Sequence, residues 1–312
     1  MPETSVGAAS SSAAPSLAAG VTVFRPDRDL LTALLDRLFG EGIPTFAYVD
    51  GPVGEAIEAD LLAELAVKAG LTLVQAPANG GIGAGLNALA AHAREAGAGR
   101  LLIFDQDSLP EPGMAAALDT RMTALAGAGE RPAAIGPKLV TPSQAGTEHQ
   151  SPRYRPMPGR SSRVGTTPVR YLISSGTLLD LTAFDAIGPF RADYVIDAID
   201  TEWCFRAWAR GYSIWMAETI TMEHRVGGGL IRLGPLRFPR QNPDRMATYV
   251  RNQAHGFRLS HVPLGWKLRN LLYLPLQMAV FSLDSPRRGP TFVRLISAAL
   301  DGLAGRLGQT RR

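Results

Sequence analysis

From residue 21 onward the chain alternates short apolar runs with stretches in which leucine or alanine recurs every three or four positions. Val21–Phe24, Thr45–Val49, Leu71–Val74 and Leu101–Phe104 read as strands, and the last is apolar on both faces, as in a covered parallel sheet. Between them, Asp29–Phe39 places Leu30, Leu34, Leu35 and Leu38 on one helical face, and Glu55–Ala69, Gly83–Ala96 and Met114–Leu125 also read as helices. Gly40, Gly42 and Gly70 stop the first two helices, and Asp50-Gly51-Pro52 reads as a turn. This alternation predicts an α/β fold, a doubly wound and mostly parallel sheet flanked by helices.

The second half is less regular. Ala133–Val140 continues the sheet, and the Pro-, Ser- and Arg-rich stretch 141–168 predicts a long mobile loop. Tyr171–Leu179 reads as a strand with Ser174-Ser175-Gly176 inside it. Thr182–Ile187 and Thr201–Arg210 read as helices, Tyr212–Ala217 as a strand, and residues 227–229 as a glycine-rich loop. Residues 243–260 and 264–283 predict a C-terminal helical extension in which Pro275 kinks or splits the second helix. The run Leu271–Phe281 falls short of the ~20 residues that span a bilayer. With its flanking Lys and Arg it suits either a membrane interface or a helical hairpin packed on the sheet. The expected organisation is a disordered tail over 1–20, a sheet domain over 21–235 and a basic helical region over 236–312.

Composition narrows the partners. The single cysteine, Cys204, excludes an intrachain disulfide, and the Ala/Ser-rich N-terminus lacks the basic and apolar regions of a secretory signal. Both fit a cytoplasmic location, with peripheral contact at the inner face of the plasma membrane as an option. The net charge of +4 hides an asymmetry: from Arg225 onward fifteen Lys/Arg face three Asp, a net of +12, which leaves −8 on the residues before. A basic C-terminal third suits an anionic membrane or nucleic acid, or is simply a surface on which Arg is the favoured cation. Without aromatic–basic interleaving or a recognition helix, no nucleic-acid partner is expected.

The candidate chemistry sits at strand ends. Asp105-Gln106-Asp107 follows the apolar strand 101–104, and carboxylates two residues apart project from one side of extended backbone. Ligands of open α/β sheets sit at that carboxyl edge, and two hard oxygen ligands suit Mg²⁺ or Mn²⁺ with a diphosphate. Taken alone, such a triplet is more often a polar turn. Asp50 ends the second strand at the same edge, where it suits a nucleobase imide or ribose hydroxyl, or caps an Asx-turn. Asn79-Gly80-Gly81 opens a helix there and offers N–H groups to an anion, although it matches neither a dinucleotide fingerprint nor a Walker loop. Asp200 and Glu202 open the helix that follows; Asp200 reads as an N-cap or as a general base, with Asp197 as the fallback. His224 is either structural or a third metal ligand.

Five stretches together resemble the family-2 inverting glycosyltransferases of GT-A fold, and among them the rhamnosyltransferases. They are Asn79–Asn87, Phe104-Asp105-Gln106-Asp107-Ser108, Ile173-Ser174-Ser175-Gly176, Ile196–Arg206 and Tyr249-Val250-Arg251-Asn252, and the similarity covers about residues 21 to 255. The resemblance implies that Asp50 binds the nucleotide, that Asp105 and Asp107 form the D-x-D pair with Asp107 as direct metal ligand, and that Asp200 is the catalytic base. His224 then contacts the metal or diphosphate, and Ser175 and Gly176 lie where the donor sugar or acceptor rests. Asn79, Gly80, Gln106 and Arg251 complete the implied donor set, with Arg225 as an alternative cation. The chain departs from the family pattern at Phe24-Arg25-Pro26 and at Val49-Asp50-Gly51-Pro52-Val53, which border the base and leave the donor open.

The expected activity is therefore transfer of a sugar, L-rhamnose from dTDP-rhamnose foremost, to a hydroxyl of a cell-envelope glycan or a polyprenyl-diphosphate-linked glycan, with inversion and with Mg²⁺ or Mn²⁺. Two alternatives stay open. One keeps the mechanism with a UDP-sugar donor (galactofuranose, N-acetylglucosamine or glucose). The other is a non-catalytic nucleotide-sugar or nucleic-acid binding protein.

Overall fold

Four of the apolar runs become the parallel half of one sheet. In the computed structural model, which describes residues 16–140, 154–223, 229–233 and 236–308, these are β1 (Leu17–Val23), β2 (Thr45–Val49), β3 (Leu71–Gln75) and β4 (Arg100–Asp105). They lie in the order β3-β2-β1-β4, with Val23 opposite Val49 and Thr22 opposite Asp105. This register brings Asp50 and the Asp105–Asp107 turn out at one edge. Beyond β4 the sheet becomes mixed. β5 (Leu109–Pro110), β6 (Pro132–Val140), β7 (Thr166–Pro168), β8 (Thr177–Asp180) and β9 (Ser213–Glu223) complete it. Here β8 runs antiparallel to both β4 and β6, and β9 runs parallel to β6.

Helices cover both faces, and β4 shows why the run 101–104 is apolar throughout. Leu102 and Phe104 join a core with α1 (Arg28–Gly40), α2 (Ala59–Ala66) and α4 (Met114–Gly127). Leu101 and Ile103 point the other way, into a core with α3 (Ile82–Glu95), α5 (Leu181–Ile187) and α6 (Ile199–Ala209). Helix α1 starts because Asp27 accepts from the amides of Asp29 and Leu30, a side-chain cap. Its buried face is Leu31, Leu34, Leu35 and Leu38; Leu30 is only half-buried. A third core joins a small hairpin, β10 (Leu230–Leu233) and β11 (Leu236–Pro239), to α7 (Pro243–His255), α8 (Leu264–Asp284) and α9 (Arg288–Ala304).

Several boundaries differ from expectation, each for a local reason. Strand β1 begins at Leu17, inside the expected tail, because Leu17 pairs with Arg100. Helix α2 starts only at Ala59, since Gly54 has φ +85° and Val53 bridges Ile57. Ser174-Ser175-Gly176 is not within a strand: Gly176 has φ +78°, the Thr177 N–H donates to Ser174 O at 3.0 Å, and β8 starts only there. The part of the expected loop that is described, from Tyr154, is ordered by its core contacts and by β7 pairing with β9; residues 141–153 lie outside the described ones. Pro275 does not split α8; it faces solvent, so the carbonyl it leaves without an N–H partner lies on the wet side. Helix α9 was not anticipated.

The first turn of α3 is pressed against the segment that leads to α6. A Cβ on Gly81 (φ +85°) would stand 2.4 Å from the Val195 carbonyl oxygen, and one on Gly83 would stand 2.6 Å from that of Arg191. No side chain fits there, and the glycines of Gly80-Gly81-Ile82-Gly83 serve close packing. Gly81→Ala should therefore cost about 2–3 kcal/mol, against about 1 kcal/mol for Gly97→Ala, which has φ +80° and open space. Urea denaturation of the two variants checks this; equal losses would mean that the close approach is not the constraint.

Candidate active site

The carboxyl edge gathers three carboxylates. Asp105 ends β4, Asp107 stands exposed in the turn after it, and Asp200 lies in the first turn of α6; Asp105 is within electrostatic reach of the other two. Burial first, then Asp107 and Asp200, push the Asp105 carboxyl up to about 7, and Arg245 opposes the rise. Burial also pushes Asp200 up to about 6. Asp200 does not cap α6, because the residue before the helix is Ala198. Its Oδ1 accepts from the Thr201 N–H at 2.6 Å and from the Thr201 hydroxyl at 3.3 Å.

Asp200 is aimed by a strained segment. Val195, Asp197 and Ala198 have φ of 64°, 66° and 64°, left-handed values that cost a non-glycine residue about 1–3 kcal/mol each. Helix α7 holds the segment there. Asn252 Nδ2 donates to the carbonyls of Tyr194, Ile196 and Asp197 at 2.9, 2.9 and 3.0 Å, and the Ile82 N–H donates to that of Val195 at 2.8 Å. Four successive carbonyls are thus fixed from two sides. Arg245, also on α7, forms a two-pronged ion pair with Asp197, at 3.1 and 2.9 Å.

The other expected residues divide. Ser175 is buried; its Oγ contacts Ser108 Oγ, and the Gly176 N–H donates to Ile103 O at 2.8 Å, so the pair ties the β8 entry to the carboxylate turn. The Gln106 carboxamide pairs with the backbone of Phe24, accepting from its N–H at 2.7 Å and donating to its C=O at 3.0 Å, and so extends the β1–β4 ladder by a side chain. Asp50 accepts from the Gly80 and Gly81 amides at 2.7 and 3.0 Å. With Ile82 bound to Val195, those three amides of the loop are engaged within the protein, not offered to an anion. Asn79 is next to this clamp.

Arg251 is buried away from the edge. Its guanidinium donates to Asn252 Oδ1 and to the carbonyls of Tyr194 and Gly308, and the carboxylates that act on it are Asp193 and Asp301. It braces Asn252, while Arg245 is the cation facing Asp105. Glu202 is buried and paired with Arg206 and His261 at 2.8 Å each, a structural role. His224 and Arg225 lie outside the described residues.

Sequence reasoning missed Arg245, Tyr154 and Tyr171. Both tyrosines are packed within electrostatic reach of Asp200, and burial raises their pKa values. The one signal for Arg245 is its place in the first turn of a helix opened by Asn242-Pro243; nothing local marks the tyrosines.

Among the described residues no cluster of three His, Cys, Asp or Glu has metal-ligating geometry. Asp105 and Asp107 nevertheless offer hard oxygens in a patch of excess negative charge, where the cation in reach, Arg245, is already paired. That donor set fits a divalent ion.

The mixed sheet, with its carboxylate edge and helices on both faces, is the GT-A glycosyltransferase fold. It matches a mannosyltransferase of Pyrobaculum calidifontis, solved with GDP-Man and Mn²⁺, at a TM-score of 0.58 and 14% identity over 95% of this chain and 89% of that one. TarS of S. aureus, residues 1–349 with UDP-GlcNAc, matches at 0.57 and 14% over 92% and 81%. In sequence, 149 residues, 47% of this chain, are 29% identical to the dTDP-rhamnosyl transferase RfbF of Shigella flexneri. The chain covers half the length of that relative. No family model matches the sequence. The fold is thus shared with glycosyltransferases, and about half of the chain is similar in sequence to a dTDP-rhamnosyl transferase.

Two outcomes follow from this geometry. A carboxyl whose folded pKa is raised favours the folded state below its unfolded value and loses that contribution as pH rises to its folded value. Metal-free protein should therefore lose stability between about pH 4 and 7 through Asp105 and Asp200, and Asp200→Asn should remove on the order of 3 kcal/mol of that loss. Melting curves across this range decide it; identical pH profiles for the two proteins would contradict it. Asn252→Ala should cost about 2 kcal/mol in urea, because it takes the side-chain donor from the part-buried carbonyls of Ile196 and Asp197, and it should lower turnover more than donor affinity.

Proposed function

We propose that the chain is a metal-dependent, inverting glycosyltransferase that moves L-rhamnose from dTDP-rhamnose to a hydroxyl of a cell-envelope glycan or a polyprenyl-diphosphate-linked glycan. The observation that carries this reading is the placement of Asp200, pushed up to about 6, beside the Asp105–Asp107 turn. The relative named as a dTDP-rhamnosyl transferase supports the donor, and the neighbours solved with GDP-Man and with UDP-GlcNAc support a nucleotide-sugar site.

Asp107 and Asp105 would hold a divalent ion, Mg²⁺ or Mn²⁺, with His224 as an added ligand. Bound there, the ion supplies Lewis-acid stabilisation of the leaving diphosphate. Asp200 accepts the proton of the acceptor hydroxyl as that oxygen forms its bond to the anomeric carbon, and the bond from that carbon to the diphosphate oxygen breaks on the opposite face. A base near pKa 6 is ionised at neutral pH yet basic enough to take the proton. Arg245 lends positive charge on the side where negative charge builds. Thr201 fixes the Asp200 carboxylate through one oxygen. A UDP-sugar donor is the second reading, favoured by the TarS match with UDP-GlcNAc.

A melt against dTDP-rhamnose and a panel of UDP-sugars, with and without Mg²⁺ or Mn²⁺, tests the donor. The true donor at a hundred times its Kd should add about 2.7 kcal/mol of stability, and only with metal. A larger shift with a UDP-sugar replaces the donor assignment. Asp200→Asn should keep this shift and lose turnover by at least about a thousandfold; activity within about tenfold of wild type would remove Asp200 as the base.

A further inference from the structure

Helix α8 buries one face and leaves the other bare. Leu274, Met278 and Phe281 pack into the third core. Leu264, Leu268, Leu271, Leu272 and Leu283 are exposed, Leu264 by 69% and Leu272 by 79%. Their spacing puts them on one stripe along nineteen residues, roughly 28 Å. Helix α9 repeats the pattern, with Leu295 and Ala298 buried and Val293, Ile296 and Leu300 exposed. Apolar surface this continuous marks a docking site, yet among the described residues no helix is long and apolar enough to cross a membrane.

The charges around the stripe identify the occupant. Lys267 and Arg269 flank its start, and Arg287 and Arg288 follow its end. The acidic residues of this region are taken: Asp284 by Arg240, Asp244 by Arg294 and Asp301 by Arg306. Among the described residues these four cations have no carboxylate partner. An apolar stripe framed by unneutralised cations is the pattern of a helix lying in the interface of an anionic bilayer. A second copy of this chain would bring the same positive rim against its like, which opposes association.

We propose that α8, with α9 beside it, docks flat on an anionic phospholipid bilayer. The start of α8 also adjoins the site. Trp266 packs on Phe205 at 6.0 Å, Phe205 on Tyr171 at 6.5 Å and Tyr171 on Tyr154 at 6.4 Å, and both tyrosines lie within electrostatic reach of Asp200. Docking therefore sets the base close to the lipid surface, where an acceptor carried on a lipid diphosphate presents its hydroxyl; this last step rests on the proposed function.

Flotation of the full chain with vesicles tests the docking without any donor, so its failure leaves glycosyl transfer to be judged separately. The chain should float with phosphatidylcholine vesicles containing phosphatidylglycerol and not with phosphatidylcholine alone. Leu268→Glu with Leu272→Glu, and separately Arg287→Glu with Arg288→Glu, should each cut the bound fraction at least about fivefold. Both variants should retain the wild-type melting temperature, since all four residues are exposed. Wild-type protein that stays unbound with anionic vesicles, or a leucine variant that floats as well as wild type, overturns the proposal. A concentration-dependent dimer abolished by the leucine pair also overturns it, in favour of a second copy.

Discussion

The site depends on one clamp. Residues 194–197 must pass from a 3₁₀ turn into α6 through left-handed backbone that non-glycine residues adopt only at a cost, and their four carbonyls need donors from outside the regular helices. Asn252 satisfies three of them and the first amide of α3 satisfies the fourth. Together these hydrogen bonds offset strain of several kcal/mol. They also require glycine at 81 and 83, because α3 must approach the segment more closely than any Cβ allows. The result is that Asp200 is aimed from a rigid frame built by two helices far apart in the chain.

That frame links fold to chemistry through electrostatics. The parallel strands bring Asp50, Asp105 and Asp107 to one edge, but only α7 and α6 bring Asp197, Arg245 and Asp200 to meet them. Asp197 takes the Arg245 ion pair, which leaves Asp200 without a cation directly on it and lets burial raise its pKa to about 6. Asp105, crowded by Asp107 and Asp200, is left as the group most in need of positive charge. On the proposed function, Asp200 would serve as general base beside a carboxylate pair that takes up a cation, as a displacement with a diphosphate leaving group requires.

Much of this was legible in residue patterns. Strand-end carboxylates follow from apolar runs that stop at Asp50 and at Asp105, and the two-faced burial of Leu101–Phe104 follows from its lack of alternation. The roles of Gln106, Asp50 and Arg251 were not legible. Gln106 and Arg251 read as polar groups free for a ligand, and Asp50 as that or as the cap of its own turn, yet Gln106 mimics a peptide toward Phe24, Asp50 binds the amides of its neighbouring loop, and Arg251 supports Asn252. Such pairings join residues 30 to 82 positions apart, or depend on a turn of α7 that periodicity does not orient. Arg245 escaped for the same reason: its partner Asp197 is 48 residues away and touches it only because α7 folds back over the sheet edge. In α8 the pattern showed an apolar run, but which leucines face the core emerged only from the packing of α7 and α9.

In the proposed reaction a single base, Asp200, activates the acceptor on the face opposite the leaving diphosphate. Proton NMR of the anomeric centre during metal-dependent transfer from dTDP-rhamnose tests it most directly. The first-formed product should have an anomeric configuration opposite to that of the donor. Retention of configuration would contradict it, since one displacement assisted by one base cannot return the sugar to its starting face.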